Sequence, residues 1–594
     1  MSTSSAPSGP DLPFGPEDMP WQKAFSRLRA VDGVPHVTAP SSDPREIYMD
    51  VPEVPFAKVQ IPPDGMDQQQ YAEAEGLFRR YVDAQTRNFA GYQVTSDLDY
   101  QHLSHYLDRH LNNVGDPYES SSYTLNSKVL ERAVLDYFAS LWNAKWPHDA
   151  NDPETYWGYA LTMGSSEGNL YGLWNARDYL SGKLLRRQHR ESCGEAASVV
   201  YTQALRHEGQ SPHAYEPVAF FSQDTHYSLT KAVQVLGIDT FHSIGSCRYP
   251  DENPLGPGTP WPTEVPSVDG AIDVDKLALL VRFFAARGYP ILVSLNYGST
   301  FKGAYDHVPS VARTVREICT QYGLDRRRVY HDRGTDSAFD ERSGFWIHID
   351  AALGAGYAPY LQMARDAGMV DEAPPVFDFR LPEVHSLTMS GHKWMGTPWA
   401  CGVYMTRTGL QMTPPKSSEY IGAADTTFAG SRNGFSSLLL WDYLSRHSYD
   451  DLVRLAADCD RLAGYAHDRL LALQDRLGID LWVARSPQAL TVRFRQPGAD
   501  IVRKYSLSCE TVYEDGEERT YVHLYAVPHL TRELVDELVR DMRQPGAFAC
   551  ADSPAGGAWG GVIDVLGRPD SDGAYVGVLT APAPGAGPED GGAD

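Results

Sequence analysis

Short apolar runs alternate with amphipathic, helix-like segments between residues 155 and 405. The apolar runs are WGYALTM, PVAFFS, PILVSLNY, FWIHID, SLTMS and GVYMT, and segments such as NLYGLWNARDYL, YSLTKAVQVLG and PSVARTVREICTQYG lie between them. Strands that alternate with helices are typical of an α/β fold on a largely parallel sheet. In such sheets, ligands bind in the loops beyond the carboxyl ends of the strands. The polar residues that follow these runs are therefore the first candidates for a functional site.

The pattern changes on both sides of this region and predicts five segments. We expect an extended arm over residues 1–65, which are dense in Pro, Ser and Asp, a helical segment over 66–154 and a large domain over 155–435. Residues 436–545 predict a smaller α+β domain with long helices, the strands ALTVRFR and RTYVHLYAV, and the final helix TRELVDELVRDM. Residues 546–594 are rich in Gly, Ala, Pro and Asp and predict a flexible tail.

Two stretches carry more specific predictions. In NSKVLERAVLDYFASLW, one helical face holds the apolar residues Leu130, Val134, Tyr137, Phe138 and Leu141. Asn126 or Ser127 is the expected cap at the start of this helix. The charge-rich segment 325–344 is interpreted as a solvated loop rather than a functional lid.

Composition narrows the class of protein. The 594 residues are 42% hydrophobic, which suits a globular chain, and the 77 acidic and 52 basic residues give a net charge of −25. This sign opposes general binding to nucleic acid or to anionic membranes, although it leaves room for a local phosphate pocket. The seven cysteines are scattered without a C-x-x-C pair, which predicts neither a disulfide framework nor a metal site. With no signal-peptide pattern and no apolar stretch of about 18 residues, we expect a soluble, cytoplasmic protein.

The first strand-end candidate is MGSSEGN, in which Gly164, Ser165 and Ser166 follow an apolar run and precede a helix. Backbone N–H groups, two hydroxyls and a helix N-terminus together can hold a phosphate. The same residues also match G-x-S-x-G, the nucleophile turn of α/β-hydrolases. The motif alone leaves both interpretations open, as well as that of an ordinary turn.

Three further strand ends carry candidate chemistry. His226 follows PVAFFS and starts a helix, Asp350 ends FWIHID, and Lys393 follows SLTMS in SGHK. The small Ala352 after Asp350 leaves room for a flat group close to the backbone. Taken singly, the His and the Asp are more often helix caps, and a buried ammonium costs free energy unless it is paired or neutralised.

Together, the four strand ends match the needs of pyridoxal 5′-phosphate. A lysine can hold this cofactor covalently through its aldehyde, and a carboxylate can keep the pyridine nitrogen protonated. A charged hydrogen bond of that kind contributes about 1.5–3 kcal/mol. The glycine–serine turn would bind the phosphate, and the imidazole would stack on the ring.

At this point the sequence resembles the group II decarboxylases that use pyridoxal phosphate, in particular the bacterial histidine-decarboxylase-like branch. The resemblance covers residues 95–545 and includes HLNNVGDPYESSSYTLNS, MGSSEGNLYG, SQDTHYS, NYGSTFKGAYD, IHIDAALGAGYAPY, SGHKWMGTPWACGV and DTTFAGSRNGF. It implies an aspartate-aminotransferase-like (fold type I) α/β fold with a large, mostly parallel-sheet domain and a small C-terminal α+β domain. It also implies a homodimer with active sites at the subunit interface.

The resemblance assigns roles to individual residues. Lys393 becomes the Schiff-base lysine, His226 the stacking residue and proton donor, and Thr300 a neighbour of the ring hydroxyl or the substrate carboxylate. The full set of implied cofactor-binding residues is Ser165, Ser166, His226, Thr300, Asp350, Ala352, Ser390, His392 and Lys393. Related decarboxylases protonate the α-carbon with a loop tyrosine from the other subunit, which favours Tyr420, 27 residues after Lys393, over Tyr404.

Departures from the histidine-decarboxylase pattern shift the expected substrate. Val114 and Pro117 stand where that branch has Cys and Trp, Phe435 replaces a His, and Phe428 replaces a smaller aliphatic residue. These changes resemble the valine decarboxylases of natural-product pathways, so we expect a branched aliphatic substrate such as L-valine, which would give isobutylamine. L-Histidine and aromatic amino acids are the alternatives.

Two other classes of protein remain to be distinguished. A serine hydrolase would use Ser166 as its nucleophile, with His523 or His529 completing a triad. A non-catalytic binding protein would keep the fold and the cofactor without releasing carbon dioxide. We expect this protein to use no metal and to bind neither nucleic acid nor a membrane.

Overall fold

The computed structural model describes residues 51–96, 98–188, 198–331, 338–412, 416–514 and 517–548. The predicted flexible tail, apart from its first three residues, and most of the predicted arm lie outside these ranges. The chain divides into two compact units between Arg87 and Asn88. The five segment boundaries drawn from the sequence remain predictions.

The first unit contains helices α1 (Phe56–Val59) and α2 (Gln68–Arg87). Lys58 and Glu73 form an ion pair of 2.8 Å between the two helices. Within the segment predicted as an extended arm, FAKV forms one helical turn, α1, directly after Pro55. Several large apolar side chains of this unit are exposed, namely Phe56, Ile61, Tyr71 and Phe78.

The second unit is built around a seven-stranded sheet. Its strands are β1 (Tyr156–Leu161), β4 (Val218–Phe220), β5 (Asp239–Thr240), β8 (Ile291–Asn296), β11 (Phe345–Asp350), β12 (Val384–Ser390) and β13 (Gly402–Arg407). They lie in the order β1-β13-β12-β11-β8-β4-β5, and only β13 runs antiparallel to its neighbours. The predicted α/β class and mostly parallel sheet are therefore confirmed. Each of the six sequence runs overlaps one of these strands.

Helices cover both faces of this sheet, and smaller strand pairs surround it. The helices of the second unit are α3 (Lys128–Leu141), α4 (Ser165–Leu180), α5 (Tyr227–Leu236), α6 (Phe241–Arg248), α7 (Val274–Ala285), α8 (Val308–Gln321), α9 (Ala358–Asp366), α10 (Gly434–Arg446), α11 (Tyr449–Leu477), α12 (Ala499–Lys504) and α13 (Arg532–Met542). The remaining strands are β2 (Lys183–Gln188), β3 (Ser198–Gln203), β6 (Ser267–Val268), β7 (Ala271–Ile272), β9 (Arg327–Tyr330), β10 (Phe339–Arg342), β14 (Lys416–Ser418), β15 (Ala423–Asp425), β16 (Thr491–Arg495), β17 (Ser508–Glu514) and β18 (Glu517–Tyr525). Short 3₁₀ turns occur at Gln101–Tyr106, Gly354–Gly356 and Thr408–Leu410.

The two largest buried hydrophobic clusters explain much of this arrangement. Every residue of β1, β8, β11 and β12 is buried, as expected for strands covered on both faces. The first core lies on the seven-stranded sheet and includes Leu452, near the start of helix α11. Leu470, later in the same helix, belongs to the second core. The second core lies between α11, α13 and the antiparallel sheet β16-β18-β17. Within the ranges given above, no helix is long and apolar enough to cross a membrane.

The segment interpreted as a solvated loop is instead largely a hairpin of β9 and β10. Arg327 and Arg342 are each 8% exposed and donate to main-chain carbonyls, Arg327 to that of Ala214 and Arg342 to that of Lys183. The many charged residues of this segment led to the wrong prediction, because a charged side chain usually faces solvent. Here both guanidinium groups are buried and donate to main-chain carbonyls instead. The tip at 332–337 lies outside the described residues.

Asn126 and Ser127 were the two expected caps of helix α3, and the helix begins directly after Ser127. The hydroxyl of Ser127 does not cap it. This hydroxyl donates instead to the carbonyl of Gly434, at 2.6 Å. The predicted apolar face of α3 is confirmed, with Val134, Phe138 and Leu141 in the core.

Candidate active site

A cavity opens at the carboxyl ends of the parallel strands, where the sequence pattern predicted the site. All nine residues expected to bind a cofactor line it, namely Ser165, Ser166, His226, Thr300, Asp350, Ala352, Ser390, His392 and Lys393. They come from five separate strand ends. The remaining lining residues are Gln93, Met163, Asn169, Ser228, Asn296, Gly298, Ser299 and Ala400.

One side of the cavity is the turn from β1 into α4. Gly164 has φ +67°, and a Cβ there would lie 2.6 Å from Cε1 of His392, so only glycine fits. The backbone N–H of Ser165 donates to Oγ of Ser390 at 3.0 Å, and that hydroxyl donates to Oγ of Ser165 at 2.9 Å. The turn thus presents hydroxyls at the N-terminus of a 16-residue helix, which fits a phosphate group.

Lys393 lines the cavity from the loop after β12. Burial lowers its pKa to about 8, and the Asp350 carboxylate offsets part of this shift. The carbonyl of Lys393 accepts a hydrogen bond of 3.3 Å from the N–H of Thr95. A lysine with this pKa has a large neutral fraction near pH 8, which is the form that attacks an aldehyde.

Asp350 ends β11 and is 6% exposed. Its Oδ1 accepts from the N–H of Ala352 at 3.2 Å, and its Oδ2 accepts from Nδ2 of Asn169 at 2.7 Å. Within the described part of the chain, no lysine or arginine forms an ion pair with this carboxylate. A buried, unpaired carboxylate facing a cavity fits a cationic partner such as a protonated pyridine nitrogen.

His226 is both a helix cap and a cavity residue, the two roles that the sequence allowed. It caps α5, because its Nδ1 accepts from the N–H of Ser228 at 3.2 Å, and it also lines the cavity. Burial is the main cause of its lowered pKa, which the nearby Lys393 lowers further and Asp350 partly restores. The ring is therefore neutral and available for stacking at neutral pH.

Several cavity residues were missed by the sequence analysis. Gln93 belongs to no motif, yet it reaches the cavity, and its side-chain carbonyl is buried without a hydrogen-bond partner in the described structure. Asn169 could have been found, because it lies four residues after Ser165 and hence on the same face of α4. Asn296 ends β8 directly opposite Asp350, a register that follows from the parallel pairing.

The structure does not bring Tyr420 into the cavity of its own chain. Its side chain is 83% exposed, next to Ile421, which packs with Val114 and Ala423. Tyr404, the alternative, is fully buried within β13 against Tyr159 and Tyr171. Burial raises its pKa strongly, and Tyr404 does not line the cavity.

The residues thought to form the substrate entrance also lie away from this cavity. Val114 packs near Ile421, Phe428 contacts Trp174 with ring centroids 6.5 Å apart, and Phe435 contacts Trp399 at 5.8 Å. None of the three lines the cavity among the described residues.

The hydrolase alternative fails on the positions of its histidines. His523 Nδ1 bonds to the carbonyl of Phe301 at 3.1 Å, and His529 Nε2 bonds to that of Phe89 at 2.6 Å. Neither histidine lines the cavity that contains Ser166. A triad through either residue is therefore not formed.

Comparisons with known proteins agree with this chemistry. Residues 93–476 match the family described as the pyridoxal-dependent decarboxylase conserved domain. A histidine decarboxylase from Mesorhizobium japonicum is 30% identical over 451 residues, which cover 76% of this chain and 92% of the relative. Serine decarboxylase 3 from Oryza sativa subsp. japonica is 29% identical, over 77% of this chain and 78% of the relative.

A solved structure is more similar still. L-Methionine decarboxylase from Streptomyces sp. 590 is 45% identical, with a TM-score of 0.75 over 82% of this chain and 97% of that chain. The fold type I architecture, the cofactor and the decarboxylase class expected from the sequence are thereby confirmed. The chain belongs to the pyridoxal-dependent decarboxylase family and is an amino-acid decarboxylase that uses pyridoxal phosphate.

Proposed function

We propose that this enzyme decarboxylates an L-amino acid with an uncharged aliphatic side chain, and releases carbon dioxide and the primary amine. L-Valine is the first candidate and L-methionine the second. The observation that carries the proposal is the charge of the cavity. Among its described lining residues, Asp350 and Lys393 alone carry charge at neutral pH, and both are committed to the cofactor. An acidic or basic substrate side chain would find no counter-charge there.

The apolar departures at Val114, Pro117, Phe428 and Phe435 add nothing to the aliphatic assignment, because none of these residues lines the described cavity. The 45% identity to a methionine decarboxylase supports it independently. The histidine and serine decarboxylases are similar at only about 30% identity. One methylene in an apolar pocket is worth only about 1–3 kcal/mol, so we expect overlapping activity on related side chains.

We propose roles for the cavity residues that suit their positions in the lining. When bound, the cofactor supplies a ring that accepts the electron pair of the broken bond. Asp350 would hold a proton at the ring nitrogen, His226 would stack on the ring, and the small Ala352 would leave room for the ring. Ser165, Ser166, Ser390 and His392 would hold the phosphate, and Thr300 would contact the ring hydroxyl or the substrate carboxylate. Lys393 would hold the cofactor through its aldehyde until the substrate binds.

Gln93 is proposed to orient the substrate. Its side-chain carbonyl has no partner among the described residues, and its amide can bind both hydrogen-bond donors and acceptors. Thr95, two residues later, bonds to the carbonyl of Lys393, so this segment is fixed beside the reactive lysine. A polar group at this position can hold a substrate carboxylate while the reaction breaks the bond to it.

Tyr420 is proposed to protonate the α-carbon in the active site of a second subunit. Its exposed position next to the Ile421–Val114 contact suits a residue that reaches out of its own chain. The exposed apolar side chains of α1 and α2 support a homodimer, because large exposed apolar patches mark interaction surfaces. His226 is the alternative proton donor.

The cellular setting is part of the proposal. Cys319, Cys401 and Cys459 are buried free thiols, which suit the reducing cytoplasm. An aliphatic amine made there would enter natural-product synthesis as a building block.

The decisive experiment is to incubate the pyridoxal phosphate-loaded enzyme separately with L-valine, L-leucine, L-isoleucine, L-methionine, L-histidine, L-phenylalanine and L-serine. The amine would be identified by mass spectrometry, and kcat/KM would be measured for each substrate. We expect the highest kcat/KM for valine or methionine. A clear preference for histidine, phenylalanine or serine would contradict the proposal.

A further inference from the structure

A continuous chain of buried hydrogen bonds leads from the interior of the sheet to the cavity. Nε1 of Trp346 donates to Oγ of Ser386 at 3.0 Å, and the same Oγ lies 2.8 Å from Nδ1 of His348. Nε2 of His348 lies 3.0 Å from Oδ1 of Asn169. Trp346, Ser386 and His348 have no exposed surface, and Asn169 has 1%.

At Asn169 the chain divides into two branches. One N–H of its side-chain amide donates to Oδ2 of Asp350 at 2.7 Å, and the other to Oγ of Ser228 at 3.2 Å. The hydroxyl of Ser228 in turn lies 2.8 Å from Nδ1 of His226. A single amide thus contacts the carboxylate directly and the imidazole through one hydroxyl.

The chemistry of the groups fixes the direction of every bond. Both N–H groups of Asn169 are committed, so its Oδ1 accepts, and Nε2 of His348 must carry the proton. Nδ1 of His348 therefore accepts from Ser386, whose oxygen accepts from Trp346. This assignment requires a neutral His348, and burial lowers the pKa of that imidazole to about 4.

The backbone is shaped to allow this contact. A Cβ at Gly172 would lie 2.7 Å from Cε1 of His348, and one at Gly168 would lie 2.0 Å from Oγ1 of Thr388. Glycine at both positions lets α4 approach the sheet closely enough for Asn169 to span the distance between His348 and Asp350.

We propose that His348 and Asn169 are a pair of positioning residues that orient the Asp350 carboxylate and the His226 ring together, so that both meet the cofactor ring correctly. The proposal rests on the roles proposed above for Asp350 and His226. His348 touches neither cofactor nor substrate and acts through Asn169. A buried histidine that only filled space would not need a fixed proton on Nε2.

The test compares His348→Phe with His385→Phe. His385 is a matched control, because it is also a buried, neutral histidine and stacks on Trp346 at 5.0 Å. Its Nδ1 accepts from the backbone N–H of Ile347 at 3.1 Å, and its ring makes no hydrogen bond to Trp346, Ser386, His348 or Asn169 among the described contacts. The readouts are the dissociation constant of pyridoxal phosphate, the induced circular dichroism of the bound cofactor, and kcat at saturating cofactor. We expect His348→Phe to weaken cofactor binding about tenfold, to reduce the dichroism and to lower kcat. His385→Phe should change these values less than about twofold relative to wild type.

A second variant keeps the proposal testable if His348→Phe fails to fold. Asn169→Asp has nearly the same shape and still accepts from His348, but it places a carboxylate oxygen against Asp350 instead of an N–H. We expect a larger loss of cofactor affinity than in His348→Phe, because two adjacent carboxylates disfavour each other's charge. Ser228→Ala removes only the branch to His226, and should alter the dichroism with a smaller loss of affinity.

Unchanged affinity and dichroism in folded Asn169→Asp would overturn the proposal, as would equal effects of His348→Phe and His385→Phe. The proposed function would fail in a different experiment. In that case the wild-type enzyme would bind the cofactor normally but prefer another class of substrate. The cofactor readouts do not depend on the substrate.

Discussion

The hydroxyl oxygens of Ser165 and Ser390 lie 2.9 Å apart, although 225 positions separate them in the sequence. One starts α4 after β1, and the other ends β12. Their bond closes the turn around Gly164 and brings the proposed phosphate site next to Lys393. Cofactor binding should therefore be sensitive to this turn.

Gly164→Ala tests the turn. The new methyl group would meet His392 at 2.6 Å, and alanine is strained at φ +67°. We expect the free energy of unfolding to fall by about 1–3 kcal/mol and the affinity for pyridoxal phosphate to fall with it. Thermal unfolding and equilibrium cofactor titration measure both effects. Gly237→Ala is a control, since it has a similar φ of +60° but open space around it, and should leave cofactor affinity unchanged.

The pKa of Lys393 predicts a pH dependence for loading of the cofactor. Because burial lowers this pKa to about 8, the neutral, nucleophilic amine increases as the pH rises through 8. The rate at which apoenzyme captures pyridoxal phosphate should rise between about pH 7 and 9 and then level off. Stopped-flow absorbance measures this rate. A midpoint near the ordinary lysine value of 10.5 would show that the amine is not buried as described.

Tyr420 can be assigned to its own or the partner subunit by complementation. Lys393→Ala and Tyr420→Phe should each lose most amine formation when assayed alone. If Tyr420 acts in the other subunit, mixed dimers contain one site with both residues intact, and random mixing should restore about a quarter of wild-type activity. Co-expression with two affinity tags and a turnover assay measures the restoration. No recovery in isolated mixed dimers would place Tyr420 in its own chain's site or outside catalysis.

Gln93→Leu removes the proposed substrate contact while keeping a side chain of similar size. We expect KM for the preferred amino acid to rise about tenfold or more, because a charged hydrogen bond is lost, while the cofactor dissociation constant changes little. Gln93→Glu should weaken binding further, through repulsion of the substrate carboxylate. Steady-state kinetics at saturating cofactor separate these effects, and an unchanged KM in both variants would remove Gln93 from substrate binding.

Much of the site could be predicted from the sequence. His226, Asp350 and Lys393 each follow a recognisable apolar run, and parallel strands bring their carboxyl ends to one edge of the sheet. Local sequence was therefore enough to predict that these three residues lie close together in the fold. The Gly164 turn was predictable for the same reason, since β1 precedes it.

Other parts depend on packing that no local pattern reveals. Gln93 reaches the cavity because Thr95 and Ser96 bond to Lys393 and His529, which lie hundreds of residues away. His348 lies inside a strand that is buried on both faces, so alternation could not indicate which way it points. Arg327 and Arg342 resembled solvent-exposed charges, but tertiary contacts give them carbonyl partners.

We propose that this chain decarboxylates an aliphatic amino acid in the cavity lined by Lys393. The most direct measurement is a competition in which the loaded enzyme receives an equimolar mixture of carboxyl-¹³C-labelled amino acids, and labelled carbon dioxide and amines are quantified together. We predict equal amounts of labelled carbon dioxide and of amine derived from valine or methionine, and neither product from Lys393→Ala. Amine derived mainly from histidine or serine, or product formed by Lys393→Ala, would contradict the account.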